Sequence, residues 1–327
     1  MRQTIRHFNA LFIEYENELA RTQCKKLYIF NKQLFDKYFG NLNVPCEEIE
    51  PRLETLDIKL KGDLMMKWQS LIGRKLCLNK CLNQVYVVIK DNSMTQNVFF
   101  KIPTSPKNIK QLLFIRYWLE RLFNYVFEEA KFNKIMFSHR FIKLLFFDYT
   151  NPLQFKIKNA FFKYYKPTEG MKFVLHNLAI CESFNLRFTY VETEYNINDE
   201  ANPDYNSILN IILNEGKRFP NISVNYTQVH EWHDVILKTI ETSRNYSNIL
   251  SNIDFKVHWE HSSLRFKRFS KKAKNIQKLK RTYLGELHKV IQYELRNIHN
   301  PKVKFLISYW DCIDEEYIDR FQIKRIK

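Results

Sequence analysis

Two histidine pairs have the side chains best suited to bind a metal ion. His230 and His233 stand three residues apart, and so do His258 and His261. Paired zinc ligands on a helix are instead four residues apart with a glutamate base between them, so neither pair has that spacing. We therefore expect solvated or helix-capping histidines at these positions and no metal site.

Cysteine, glycine and carboxylate patterns also give no sign of catalysis. Cys77 and Cys81 have no second Cys or His pair at zinc-ligand spacing. The glycines are scattered, so neither a phosphate-binding loop nor a nucleophile elbow can be identified. Neighbouring acids such as Glu47 and Glu48 point apart on a helix and to opposite faces on a strand. We predict that the protein is not an enzyme and uses no cofactor.

A basic segment is the most polarised part of the chain, because residues 262–281 contain nine lysines and arginines and no acid. Such a segment can bind an acidic protein or the phosphates of nucleic acid, or it can be a solvated face or loop. Phe266, Phe269 and Ile276 would be stacking groups or the buried side of an exposed helix. The candidate binding residues are Arg265, Lys267, Arg268, Lys271, Lys272, Lys274, Lys278, Lys280 and Arg281.

Composition indicates a folded cytoplasmic or nuclear protein. At 327 residues and 45% hydrophobic residues the chain can form a large core. Its six cysteines are scattered, and neither a secretory signal nor an apolar run of about 18 residues occurs, so we expect no membrane association. The net charge of +17 favours acidic partners.

Hydrophobic periodicity predicts strands and one long helix in the first half. Alternation favours strands over residues 56–60, 85–89 and 98–102. Ser105 and Pro106 then supply a cap and first turn for a helix of about twenty residues, since apolar positions up to Val126 recur at helical spacing. We expect its aromatic residues to pack mainly in the core, namely Phe114, Tyr117, Trp118, Phe123 and Tyr125.

Short strands alternate with helices in the rest of the chain, which predicts parallel pairing and an α/β fold. We expect a degenerate, leucine-rich-like curved sheet or an ordinary open α/β sheet. The predicted helices are residues 171–182, 205–217 and 230–243, and the predicted strands are residues 132–137, 154–158, 186–190, 222–226, 253–259 and 303–309.

An amphipathic helix is predicted over residues 1–21, and further distinctive blocks are residues 64–72 (LMMKWQSLI), 103–137, 152–155, 211–217 and 297–303. These blocks resemble those of nematode-type F-box proteins, which carry a long C-terminal substrate region. Residues 1–21 resemble the second half of an F-box, although the Leu-Pro half has no counterpart in the sequence.

This resemblance implies a substrate-recognition subunit of a Skp-cullin-type ubiquitin ligase with impaired adaptor binding. Residues 1–40 would be a partial F-box-like helical segment, 41–55 a linker, and 56–327 an α/β region that holds an unknown protein target. A basic nucleic-acid-binding module is the alternative. The residues that would contact a Skp-type adaptor are Ile5, Phe8, Leu11, Phe12, Tyr15 and Leu19.

Overall fold

The structure, a computed structural model, is mixed α/β, with thirteen strands and seven α-helices among the residues it describes. Those residues are 23–40, 46–49, 62–77, 84–90, 97–133, 135–151, 153–164, 170–188, 205–225, 230–256, 272–283, 285–312 and 318–326. The candidate adaptor-binding residues and the predicted strand 56–60 lie outside these ranges. No helix within them is long and apolar enough to cross a membrane. The chain divides into two compact units, Met1–Ile180 and Cys181–Lys327.

The elements are numbered along the chain. The helices are α1 (Lys32–Phe35), α2 (Gly62–Gln69), α3 (Ile109–Asn124), α4 (His139–Leu145), α5 (Gly170–Asn177), α6 (Tyr205–Asn214) and α7 (His230–Thr242). The strands are β1 (Gln23–Phe30), β2 (Cys46–Glu48), β3 (Gln84–Lys90), β4 (Asn97–Pro103), β5 (Val126–Asn133), β6 (Phe155–Tyr164), β7 (Leu178–Phe188), β8 (Asn221–Asn225), β9 (Asn252–Lys256), β10 (Lys274–Tyr283), β11 (Glu286–Arg296), β12 (Lys304–Cys312) and β13 (Ile318–Ile326).

The first unit contains the strand order β6-β5-β1-β3-β4-β2. β1 pairs in parallel with β5 and β5 with β6, whereas β3 is antiparallel to both β1 and β4. β2, which pairs with β4, lies within the predicted linker 41–55. The five central residues of β3 are all buried, whereas buried residues alternate along β4. α3 packs on β4, where the rings of Phe100 and Trp118 stack with their centroids 3.8 Å apart.

The long predicted helix is confirmed as α3, and three of its five conspicuous aromatic residues, Trp118, Phe123 and Tyr125, are buried. Its N-terminal cap is Asn108 rather than the Ser105 and Pro106 expected from the sequence. The Asn108 side chain accepts a hydrogen bond from the Gln111 backbone N–H at 3.0 Å, the usual role of an N-cap side chain.

A buried arginine joins three helical segments of the first unit. Arg116 on α3 donates to both carboxylate oxygens of Asp148, at 2.8 and 2.7 Å. It also donates to the carbonyl oxygen of Leu145, which accepts a second hydrogen bond from Trp68 Nε1 on α2. The arginine side chain is 6% exposed and that of Asp148 is 42% exposed, so only the cation is removed from water.

The second unit contains the strand order β7-β8-β9-β13-β12-β11-β10. β7, β8 and β9 are parallel, as the alternation of strands and helices predicted. The four C-terminal strands are antiparallel to one another, and β13 pairs antiparallel with β9. The sheet is therefore mixed, and the leucine-rich-like interpretation, which requires parallel pairing throughout, is not confirmed.

Asn297 links the C-terminus of α7 to the turn between β11 and β12. Its side-chain N–H groups donate to the carbonyl oxygens of Ile240 and Ser243, both at 2.8 Å. Its side-chain oxygen accepts from the backbone N–H groups of His299 and Asn300, both at 3.0 Å. The residue is fully buried, and its amide satisfies otherwise unpaired helix-end carbonyls.

Three elements differ from the sequence prediction, two in their boundaries and one in its type. The predicted helix 171–182 ends at Asn177, and β7 begins at the next residue. The predicted strand 132–137 is instead the end of β5, which starts at Val126. The basic segment, expected as a solvated face, a loop or a helix, forms a β-strand from Lys274 onward.

Candidate partner-binding surface

β10 carries much of the predicted basic segment on an exposed strand. Eight of its ten side chains are exposed, and only Leu279 and Tyr283 are half-buried. Lys274, Lys278 and Lys280 make no ion pair with any described residue. Because the strand has no acidic residue, its positive charge is not neutralised along its own length.

β10 lies at the end of the strand order and pairs only with β11 among the described strands. The pairing runs up to Tyr283 opposite Glu286, with Gly285 in the turn at φ 89°. Glycine adopts this left-handed conformation without the steric cost that other residues incur. The turn therefore supports a hairpin, β10–β11, and no second strand of the described part of the chain pairs with the outer edge of β10.

Two lysines face each other across the hairpin. Lys280 is directly opposite Lys289, and both are exposed. Like charges at directly opposed positions destabilise a strand pair. Lys289 is also opposite Asp311 on β12, so its charge has a nearby acid, whereas Lys280 on the outer strand does not. The helix-facing side of β10 thus carries uncompensated positive charge at Lys278 and Lys280.

The other side of β10 combines arginines with aromatic rings. The Arg281 guanidinium lies 5.8 Å from the Trp310 ring, and the Arg320 guanidinium lies 4.8 Å from the Tyr283 ring. Arg320 also forms a bidentate ion pair with Asp254, at 2.6 and 2.8 Å. Trp310 is 7% exposed, so its ring offers little open face for stacking. Tyr283 is half-buried, and its ring is already in contact with Arg320.

A buried polar chain supports the sheet behind the hairpin. His233 Nδ1 lies 2.7 Å from Asp234 Oδ1, and His233 Nε2 lies 2.8 Å from the hydroxyl of Tyr309. The Tyr309 hydroxyl is in turn 3.1 Å from that of Tyr293. Burial lowers the pKa of His233 although the hydrogen bond and charge of Asp234 act in the opposite direction. A neutral His233 that donates from Nδ1 therefore accepts from Tyr309 at Nε2.

This position differs from the solvated or capping role expected for the histidine pair. His233 is 4% exposed and packs in the core, while the side chain of His230 lies outside the described residues. The chain of hydrogen bonds connects α7 to β12 and β11, and all three of its ring side chains are buried. Its chemistry is therefore that of a structural network.

The structure brings together four of the nine predicted basic residues on β10. They are Lys274, Lys278, Lys280 and Arg281. Lys272 precedes the strand and lies 3.7 Å from Glu241. Arg265, Lys267, Arg268 and Lys271 lie outside the described residues.

Lys289 belongs to the same surface and was missed from the sequence. It stands in β11, where exposed and buried residues alternate from Leu287 to Val290. That period of two predicts a strand, and the hairpin then follows from Gly285 between two strand-like runs. Reading both signals together would have placed Lys289 opposite β10.

The cysteines of the described ranges differ in exposure, since Cys181 is exposed and Cys77 is buried. No cluster of three or more His, Cys, Asp or Glu side chains there could hold a metal ion. Cys77 is buried, and burial raises the pKa of its thiol, which disfavours the reactive thiolate. Cys81 lies outside the described residues.

Comparison with known proteins gives one family match, to a model described as a domain of unknown function (DUF8381), over residues 49–189. No curated protein and no solved structure matches the chain. No F-box family matches, and the matched domain includes the blocks at 64–72, 103–137 and 152–155 that carried the resemblance to F-box proteins. That resemblance was therefore wrong, and the chain is similar over less than half of its length to a domain whose function is unknown.

Proposed function

We propose that this protein is a non-enzymatic interaction protein that binds an acidic partner through the hairpin β10–β11. The observation that carries the proposal is β10 itself, an exposed strand with Lys274, Lys278, Lys280 and Arg281 and no acid. Lys289 on β11 adds a positive charge directly opposite Lys280, whereas Lys274 lies opposite Glu294, so the positive surface is centred on Lys278, Lys280, Arg281 and Lys289.

Electrostatics supports an acidic partner in two ways. Each exposed ion pair contributes only about 0–1 kcal/mol, so a useful affinity needs several charges acting together, as on β10. The net charge of +17 also attracts acidic molecules over a distance and raises their rate of association. Both effects weaken with salt because the Debye length falls from about 10 Å at 0.1 M to about 3 Å at 1 M.

Nucleic acid is the second candidate, since the same lysines can neutralise phosphates. Proteins that bind single strands usually add aromatic platforms on which bases stack. Here Trp310 is buried and the Tyr283 ring is already in contact with Arg320. Phe266 and Phe269, predicted as stacking groups, lie outside the described residues. Among the aromatic groups that the structure describes beside β10, the environment favours an acidic protein over a nucleic acid.

The test is the affinity of the full chain for a fluorescent glutamate-rich peptide and for a fluorescent single-stranded oligonucleotide, measured by anisotropy at low and moderate salt. The test variant reverses three charges of β10, as Lys278→Glu, Lys280→Glu and Arg281→Glu. The matched control reverses three exposed lysines of the first unit, as Lys110→Glu, Lys143→Glu and Lys172→Glu. Both variants change the net charge by the same amount.

We expect the β10 variant to lose at least about ten-fold in affinity for the acidic peptide, which is about 1.4 kcal/mol, and the control to change by about two-fold. Equal losses in both variants would mean that net charge acts without a local site, and would refute the proposal. Tighter binding of the oligonucleotide than of the peptide, lost in the same variant, would establish the second candidate instead.

A further inference from the structure

We infer that the acidic partner binds as an added β-strand along the open edge of β10. This inference rests on the proposed function and specifies its geometry. Extended segments add to exposed sheet edges through main-chain hydrogen bonds, while alternate side chains determine which segments fit. β10 pairs in regular register with β11 from Gln277 to Tyr283, seven residues, after an irregularity between Lys274 and Gln277, and it has one paired neighbour among the described strands.

The charges on β10 determine which strands the edge accepts. An open edge of this length is a template for pairing with other chains, and lysines on an edge strand oppose such pairing. Two copies of β10 repel each other because each carries four positive charges and no acid. An acidic strand is instead attracted by these four charges. The same residues that oppose self-association therefore favour pairing with an acidic segment.

The like-charge pair within the hairpin strengthens this preference. Lys280 faces Lys289 across β10–β11, and no described residue neutralises Lys280 from its other side. An acidic residue on an added strand would lie about 4.5–5.5 Å from Lys280, measured between Cβ atoms, within easy reach of an ion pair. Binding would therefore relieve a repulsion that is present in the free protein.

The register of β10 predicts the spacing of acids in the partner. Lys278 and Lys280 are two residues apart and share one face, while Arg281 points to the opposite face. A strand added in parallel would need acids at positions i, i+2 and i+3 to meet all three cations. A strand added antiparallel would need the reverse order, with acids at i, i+1 and i+3.

N-methylated peptides separate strand addition from simple charge attraction. Alternate N–H groups of a strand point to the same side, so two peptides with the same sequence are made, methylated at odd or at even positions. The two have equal charge and composition. Only one of them loses the N–H groups that would pair with β10.

We expect one methylated peptide to bind at least ten-fold more weakly than the unmodified peptide, and the other to bind within two-fold. Amide hydrogen exchange on the full chain should slow in β10 when the unmodified peptide binds. Equal affinity of the two methylated peptides, with no slowing in β10, would overturn strand addition while leaving the proposed function intact. Failure of every acidic peptide to bind would overturn both.

Discussion

The ion pair between Arg116 and Asp148 predicts that its two partners contribute unequally to stability. Asp148→Asn removes the negative charge and leaves a cation whose side chain is only 6% exposed. Arg116→Met removes the buried cation, fills the same space with an apolar chain, and leaves a carboxylate that is 42% exposed and that water can solvate. We expect the change at the exposed residue to cost more than the change at the buried one.

The magnitudes follow from what each variant leaves behind. Removing one partner of a buried ion pair costs about 3–5 kcal/mol, and partial exposure of Asp148 places Asp148→Asn at the lower end, about 3 kcal/mol. Arg116→Met should cost about 1 kcal/mol, since apolar replacements of buried charges are close to neutral. The Leu145 carbonyl keeps its hydrogen bond from Trp68 Nε1 in that variant, so this acceptor keeps a donor.

The assay is urea-dependent amide hydrogen exchange in α3, which reports the free energy of opening the first unit separately from the second. The double variant, with both changes, should resemble Arg116→Met because no charge is then left buried. A cost for Arg116→Met equal to or greater than that for Asp148→Asn would refute the reasoning. It would mean that the cation is stabilised by its aromatic neighbours rather than by the carboxylate.

Three further predictions concern pH and buried amides. Although burial acts to raise it, the pKa of Asp148 is lowered by the hydrogen bonds and charge of Arg116. The stability that this lowered pKa gives is present above the unfolded pKa of about 3.9 and is lost as pH falls through the folded pKa. Chemical denaturation of Asp148→Asn as a function of pH should therefore lack this acid-dependent loss. Burial lowers the pKa of His233, although Asp234 acts to raise it. The second unit should therefore lose stability as pH falls below about 6.5, because the unfolded state then takes up a proton that the folded state does not. Thermal unfolding of His233→Gln at a series of pH values should show a weaker dependence of stability on pH. Asn297→Ala removes four hydrogen bonds and should cost about 3–4 kcal/mol at about 1 kcal/mol each, whereas Ile298→Ala at a half-exposed neighbour should cost little by urea denaturation.

Elements with one clear apolar face could be predicted from the sequence. β4 and β8 alternate between buried and less buried residues, and α3 and α7 repeat apolar residues at helical spacing, so local periodicity located these four. β3 was also predicted as a strand, but it is buried without alternation from Val85 to Ile89. In β4, β8, α3 and α7, burial of one face is the physical cause of this periodicity.

β10 could not be predicted in this way because neither of its faces is fully buried. Polar and apolar residues do not alternate along β10, so its sequence gives no strand signal. Its extended conformation comes from pairing with β11. The boundary at Asn177 was missed for a different reason. Met171, Val174 and Leu178 continue a helical spacing, although Leu178 already begins a strand whose buried residues recur at every second position.

The candidate surface depended on both kinds of information. The charge of residues 274–281 was visible in the sequence, and the opposition of Lys280 to Lys289 required the register of the hairpin. The polar chain from His233 through Tyr309 to Tyr293 joins residues up to 76 positions apart, and such contacts have no local signature.

The pairing of β9 with β13 has a consequence for synthesis of the chain. β9 ends at Lys256, and the strand that covers its second edge begins to pair with it at Arg320, more than sixty residues later. At about 5–20 residues per second, the ribosome needs roughly 3–13 s to make that stretch. During this interval β9, with its alternating apolar residues, presents an unpaired edge to other nascent chains. Slower translation of the last four strands should therefore increase aggregation, and a chain cut before β13 should do so permanently.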